Sequence, residues 1–132
     1  MSKSLIQTVN PTTQAVALNG IISPGSVLRR FGCNCRLSGN AIELVGCGYY
    51  KVGATVTVEP TAAGSTVVSL FENGNTVPSA YGEGTAAAAG DAVTVPILTT
   101  VRLREDGTSS LTFVLTEGAG DVTNISAQIE KA

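Results

Sequence analysis

Three cysteines are the residues of this sequence best suited to chemistry, and they lie close together. Cys33 and Cys35 flank a single asparagine, and Cys47 follows beyond a predicted turn. Residues two apart in a β-strand point to the same side, so we expect the first two thiols to share one face. Three converging thiolates and an outside ligand would make a metal site, although structural zinc normally has four protein ligands.

Two other interpretations of the cysteines are open at this point. Cys47 could form a disulfide with Cys33 or Cys35 after release from the cell, but three is an odd number, and this argues against a disulfide framework. Alternatively, all three cysteines are small buried hydrophobic residues or inert thiols. The sequence favours this last interpretation.

Histidine is absent from the sequence. This excludes Ser-His-Asp and Cys-His catalysis, histidine metal ligands and a cupin-type metal site. The segment Gly82-Glu83-Gly84 does not lie between a strand and a helix, as a phosphate-binding loop would. We therefore expect no enzymatic activity, no catalytic residue, no cofactor and no metal site.

The charged residues are scattered. The acidic residues fall mostly in predicted turns without the spacing of a calcium loop, and we interpret them as solvated: Glu83, Asp91, Glu105, Asp106, Glu117 and Asp121. Arg102 and Arg104 would share a strand face, and together with Arg29-Arg30 they could contact acidic groups of a particle. Plain surface charge is the favoured interpretation.

The composition predicts one folded domain with no nucleic-acid or membrane partner. The chain has 132 residues, of which 43% are hydrophobic and 14% charged, which is too apolar for disorder. Its net charge of −2 includes no basic stripe. No segment matches a signal peptide or the roughly 18 apolar residues of a membrane span. We expect synthesis in a host cytoplasm, followed by retention there or by exit without a signal peptide, for example by assembly into a virion and release by lysis.

Alternating apolar and polar residues predict β-strands, with no convincing amphipathic helix. The clearest run is 50–58, and Asn73-Gly74 is a strong hairpin signal after the next run. The alternation continues over 109–116 and 122–131. With the shorter, less regular runs in the first half of the chain, the total is about eight to ten short strands. This pattern predicts an all-β fold, an antiparallel jelly-roll sandwich.

Several motifs resemble those of a known family. They are the strand Gly48-Tyr49-Tyr50-Lys51-Val52, the connection from Pro60 to Gly64 and the segment from Gly84 to Thr94. Their order resembles the tumour-necrosis-factor-like jelly roll, also found in the heads of complement component one q. It is more similar still to short modules encoded by phages and prophages of Gram-positive gut bacteria. The resemblance covers roughly residues 20–131. It implies a homotrimer, with a jelly-roll domain over 20–132 after an N-terminal arm or first strand over 1–19.

The interface residues of such a trimer can be guessed from the strands. Tyr49 and Tyr50 are neighbours on one strand, so they must point to opposite faces. One enters the core, and the other joins Phe71 and Val67 on a second apolar face that a neighbouring subunit would cover. A Tyr49–Phe71 pair across strands is part of this hypothesis.

The sequence predicts a structural role. The first hypothesis is a virion protein, a trimeric head-decoration or short head-fibre module that binds the major capsid protein or another virion protein. The alternative is a lectin-like or receptor-binding module on a cell or spore surface, with a bacterial glycan or protein as its ligand. Loops that could make such contacts, or contact a host, contain Glu83, Thr85, Glu117 and Asp121.

Overall fold

The computed structural model describes residues 4–103 and 107–131, and within these ranges the chain forms β-strands and no helix. The strands are β1 (Leu5–Asn10), β2 (Gln14–Val16), β3 (Gly20–Ile22), β4 (Ser26–Phe31), β5 (Cys35–Ser38), β6 (Ala41–Val45), β7 (Gly48–Pro60), β8 (Gly64–Glu72), β9 (Asn75–Ala86), β10 (Val93–Leu103), β11 (Thr108–Glu117) and β12 (Gly120–Lys131). None of these residues belongs to a helix with the length and hydropathy needed to cross a membrane.

The strands form two antiparallel sheets that pack face to face. Sheet A has the order β10-β7-β12-β1-β4, with β2 added beside β12. Sheet B has the order β5-β6-β11-β8-β9, with β3 added beside β11. Neighbours in a sheet are mostly distant in the chain, as in a jelly roll, and the predicted all-β sandwich is confirmed.

The core lies between the sheets and follows the alternation seen in the sequence. In β7, every second residue from Tyr50 to Val58 is buried, and the residues between them face outward. Phe113 and Leu115 of β11 are buried on the facing sheet. The few aromatic residues are supplemented by Val, Ile, Leu and Ala, which suit a pleated surface.

The predicted hairpin at Asn73-Gly74 joins β8 to β9. Both residues have positive φ, 52° and 83°, as a tight two-residue hairpin turn requires. Further along this pair, the register shifts between Ser69 and Phe71 of β8. Pro78 belongs to β9, an edge strand of sheet B, and edge strands are where proline is tolerated in a sheet.

The N-terminal segment is part of sheet A. All six residues of β1 pair with β12, and β1 also pairs with β4. The described residues before position 20 therefore contribute strands to the same sandwich as those after it.

Candidate interaction surfaces

The two adjacent tyrosines separate as the alternation predicts. Tyr50 is fully buried between the sheets, whereas 51% of Tyr49 is exposed on the outward face of sheet A. Tyr49 lies opposite Arg102 of β10, whose guanidinium carbon is 5.3 Å from the centre of the tyrosine ring. This distance allows a cation–π contact. Because Tyr50 is buried, it cannot contact a neighbouring chain, and its place in the guessed interface is wrong.

Phe71 and Val67 do not join Tyr49. They belong to β8 of sheet B, where Phe71 pairs with Thr112 and Thr76. The expected Tyr49–Phe71 pair is therefore wrong, because period-two alternation separates the faces of a strand without identifying its sheet. Val67 is almost fully buried, and Phe71 is half-buried.

The outward face of sheet A carries a large exposed apolar side chain beside a depression. Leu98 of β10 is 84% exposed and lies opposite Gly53 of β7. A Cβ at Gly53 would meet only the Leu98 Cδ1 atom, at 3.7 Å. The missing side chain opens a depression of about 360 Å³, lined by Lys51, Val52, Gly53, Thr55, Leu98, Ser126, Gln128 and Glu130.

The centre of this face is polar but nearly uncharged. The ladder places Thr55 beside Ser126, and Gly53 beside Gln128. Lys51 and Glu130 are opposite neighbours along one margin. Interfaces between proteins are commonly depleted of charge at their centre and charged at the rim. The second arginine of the predicted basic pair, at position 104, lies outside the described residues, as do the acids at 105 and 106.

The outward face of sheet B combines three of the guessed contact residues with an aromatic residue that the sequence analysis missed. Glu83 and Thr85 lie on β9 rather than in a loop, and they alternate outward with Tyr81, which is 58% exposed. Val67 pairs with both Glu83 and Glu117, so the two carboxylates flank it in one row. The alternation of Tyr81, Glu83 and Thr85 with glycines was the signal that could have found this stripe.

Asp121 is separated from that stripe. It lies on β12 of sheet A, where it pairs with Glu59 and Ala15. The four residues guessed as contact loops therefore do not form one site, and all four lie in strands.

The cysteines do not form the three-thiolate site that the sequence left open. Cys33 and Cys47 are exposed, whereas Cys35 is buried. β5 begins at Cys35, so Cys33 precedes the strand, and the expected shared face of these two thiols is wrong. Among the described residues, no three His, Cys, Asp or Glu side chains are placed to hold a metal ion.

The turn between β6 and β7 is held by a partly buried hydrogen-bond cluster. The Tyr50 hydroxyl donates to the carbonyl oxygens of Val45 and Gly46, at 2.9 and 2.8 Å. Burial raises the pKa of Tyr50, and the proximity of the three thiols raises it further. Burial also raises the pKa of Cys35 to about 11, against the opposing effect of Arg30 and Lys131.

Ser4 and Asn34 complete the polar cluster at this end of the sandwich. The Ser4 hydroxyl donates to Asn34 Oδ1 at 2.8 Å and accepts from the Asn34 N–H at 3.1 Å. The Asn34 side-chain amide donates to the Val45 carbonyl oxygen at 2.6 Å. These bonds attach the start of the chain to the turn before β7.

Comparison with known proteins shows the fold and no family membership. No family model and no curated protein matches the chain. Among solved structures, it is similar to the globular domain of zebrafish complement 1qA, with a TM-score of 0.71, 10% identity and coverage of 98% of this chain and 96% of the other. The Eiger TNF from S. frugiperda gives a TM-score of 0.72, 8% identity and coverage of 98% and 91%. The PRD1 vertex protein P5 gives a TM-score of 0.57, 14% identity and coverage of 97% of this chain and 95% of the other. The chain has the jelly-roll fold of TNF- and C1q-like domains.

Proposed function

We propose that this chain is a non-catalytic structural protein of a phage virion, a head-decoration or short head-fibre module. It acts as a homotrimer and binds the major capsid protein or another virion protein. The fold that it shares with a PRD1 vertex protein supports the virion assignment. The motifs Gly48-Tyr49-Tyr50-Lys51-Val52 and Gly84–Thr94, which resemble those of phage-encoded modules, support it as well.

The observation that carries the trimer is the exposure of Leu98 beside the depression over Gly53. Complete burial of a leucine side chain is worth about 1.5–3 kcal/mol. Leu98 is 84% exposed in the single chain, so most of this energy is available to an interface. Tyr49 lies on the same face of sheet A and adds an aromatic ring, a residue type enriched in interfaces.

In a closed ring of three copies, the outward face of sheet A would be buried in every copy. In a cyclic trimer, each contact joins two different patches, so a protruding side chain on one copy can enter a depression on the next. Leu98 and the adjoining depression over Gly53 form one such patch, and a different surface of the next copy would cover it at each of three equivalent contacts. The nearly uncharged centre of the face avoids burying unpaired charges.

The trimer is tested by light scattering on the purified chain at several dilutions. We expect the mass of about three chains, unchanged on dilution. Leu98→Lys places a charge in the proposed interface and should give monomers. Tyr81→Lys, on the outward face of sheet B, is the matched control and should leave the trimer intact. A monomeric wild type, or dissociation by Tyr81→Lys alone, would contradict this interface.

The virion assignment needs a separate test. Antibodies against the purified chain would be used to probe density-gradient fractions of a lysate of the source bacterium. We expect the chain to migrate with particles that contain a major capsid protein. Recovery in the cell-envelope or spore-coat fraction alone would contradict the virion role while leaving the trimer untouched.

The stripe of Tyr81, Glu83 and Thr85 favours a second candidate, a ligand-recognition module on a cell or spore surface. An exposed aromatic ring beside a carboxylate and a hydroxyl offers an apolar surface and hydrogen-bonding groups to a sugar or a peptide. Screening bacterial surface glycans and proteins against the wild type and Tyr81→Ala would test this role. Binding that depends on Tyr81 supports it, whereas equal binding by both forms contradicts it.

A further inference from the structure

Residues 33–35 and 44–47 run side by side at the end of sheet B. β5 and β6 are antiparallel, with Cys35 opposite Leu44. The pairing continues beyond the strands, because the Val45 N–H donates to the Asn34 carbonyl oxygen at 2.8 Å. One more step in the same register brings Cys33 to the segment that contains Cys47.

Extended by one residue, that register brings Cys33, which lies in the bend before β5, close to Gly46, the residue before Cys47. A disulfide requires Cα atoms about 4.4–6.8 Å apart, so Cys33 has to approach the backbone at Gly46 and Cys47. Gly46 has a φ of 95°, which ends the strand alternation there. The Cys47 side chain is therefore not forced to the opposite face from Cys33. The side chain of Asn34, the neighbour of Cys33, packs on Gly46, where a Cβ would lie 2.9 Å from Asn34 Nδ2.

A second observation joins the two cysteine-bearing segments at one atom, the carbonyl oxygen of Val45, which accepts from the Asn34 side-chain amide. The Tyr50 hydroxyl contacts the carbonyl oxygens of Val45 and Gly46. Burial raises the pKa of Tyr50, and the charges of the three cysteines act in the same direction. Asn34, next to Cys33, and Gly46, next to Cys47, therefore both lie at the turn that leads into β7.

Cys35 differs from the other two in its reactivity. It has no solvent exposure, and burial raises its pKa to about 11, so at neutral pH it is a protonated thiol. The thiolate is the nucleophile in disulfide chemistry, and buried cysteines are inert. Cys33 and Cys47 are both exposed and accessible to a reagent.

We propose that Cys33 and Cys47 form a reversible disulfide that ties the start of β5 to the turn before β7. The oxidant is a small-molecule disulfide such as oxidised glutathione. The thiolate of one cysteine attacks it, forms a mixed disulfide and releases one glutathione thiol. The second cysteine then attacks the protein sulfur of the mixed disulfide and releases the second glutathione thiol. Two protein thiols are oxidised and one disulfide is reduced to two thiols.

The disulfide would fix the turn that supports the buried Tyr50 hydroxyl and the strand carrying Tyr49. In a reducing cytoplasm the pair stays as thiols, and in an oxidising medium it closes. It closes a short loop of the chain, and such cross-links restrict the unfolded state. We expect the oxidised protein to unfold at a temperature about 5–10 °C higher than the reduced protein.

The test uses the whole protein equilibrated in glutathione buffers from fully reduced to fully oxidised, with thiols counted after denaturation. We expect the count to fall from three to one, with loss of two hydrogens from the mass and no change in the number of chains per particle. Non-reducing peptide mapping with fragmentation should identify Cys33 linked to Cys47. The melting temperature is measured on the same samples.

Three variants distinguish the proposed pair from its alternatives. Cys33→Ser and Cys47→Ser should each abolish the intramolecular disulfide and the rise in melting temperature, whereas Cys35→Ala should retain both. If Cys35→Ala fails to fold, the peptide map of the wild type decides the pairing. A count that stays at three in fully oxidised buffer, a link that includes Cys35, or a link between chains would each overturn the proposal.

Discussion

The hydroxyl of Tyr50 lies 2.8 Å from the carbonyl oxygen of Gly46, at the turn that leads into the strand carrying Tyr50 itself. A fully buried tyrosine needs such a partner for its hydroxyl. The bond holds Tyr50 inside the sandwich, and strand alternation then directs Tyr49 outward. One internal contact thus fixes which tyrosine is available to a partner.

Replacing Tyr50 with phenylalanine tests this contact. We expect Tyr50→Phe to lower the free energy of unfolding by about 1–2 kcal/mol, because it removes the donor to two carbonyl oxygens while keeping the ring. Tyr49→Phe is the matched control, since Tyr49 is half exposed, and we expect a change below about 0.5 kcal/mol. Both are measured by urea unfolding. Equal losses in the two variants would contradict the structural role of the Tyr50 hydroxyl.

The Ser4–Asn34 cluster gives a second prediction. Asn34→Ala removes the acceptor for Ser4 and the donor to Val45, and both partners are left in a largely buried environment. We expect a loss of about 2–3 kcal/mol in the free energy of unfolding by urea. Asn40→Ala, in the exposed turn between β5 and β6, should change it by less than about 0.5 kcal/mol. A loss no larger than that of Asn40→Ala would show that water replaces these bonds.

The sequence was enough to predict the fold, but it was not enough to predict which residues share an exposed surface. The alternation of 50–58 gives one face to the core, and Asn73-Gly74 gives the hairpin, because both signals are local. The assignment of Tyr49 to sheet A and Phe71 to sheet B depends on which strands pair across the chain. No local pattern contains that information, so the guessed interface combined residues of both sheets.

The cysteines and the depression show the same limit. Strand alternation predicted a shared face for Cys33 and Cys35, but β5 begins only at Cys35, and strand ends are not visible in the pattern. The depression on sheet A arises because Gly53 and Leu98 become neighbours when β7 pairs with β10. Neither Gly53 nor Leu98 carries a sequence pattern that predicts this depression.

Gly82 gives a third prediction, about the contact between the sheets. A Cβ at Gly82 of β9 would overlap the Pro96 carbonyl oxygen and the Val95 side chain of β10. Backbone atoms cannot move aside easily, so we expect Gly82→Ala to lower the free energy of unfolding by about 1–3 kcal/mol. Gly107→Ala is the control, since nothing lies within 4 Å of its Cβ position, and it should be nearly neutral. Urea unfolding of both variants measures these losses. An unchanged free energy of unfolding in Gly82→Ala would show that the edge strands β9 and β10 separate readily.

The final prediction concerns alkaline pH. Burial raises the pKa of Cys35 from 9.0 to about 11, and it also raises the pKa of Tyr50 above 10.0. Between pH 9 and pH 11 the unfolded chain loses its Cys35 proton while the folded chain keeps it. The folded state then binds more protons, so its stability must fall as the pH rises. For Cys35 the loss across this window is roughly 2–3 kcal/mol, and below pH 9 this contribution is fully present.

Urea unfolding from pH 7 to pH 11, with a phosphine reductant to keep the cysteines as thiols, measures this loss. We expect Cys35→Ala to flatten the decline, because the buried thiol that resists ionisation is gone. Asn40→Ala, at an exposed turn residue without a titratable side chain, should show the same decline as the wild type. Parallel curves for Cys35→Ala and the wild type would mean that Cys35 does not control the alkaline stability. In that case Tyr50→Phe, which removes the other buried group with a raised pKa, should flatten the curve instead.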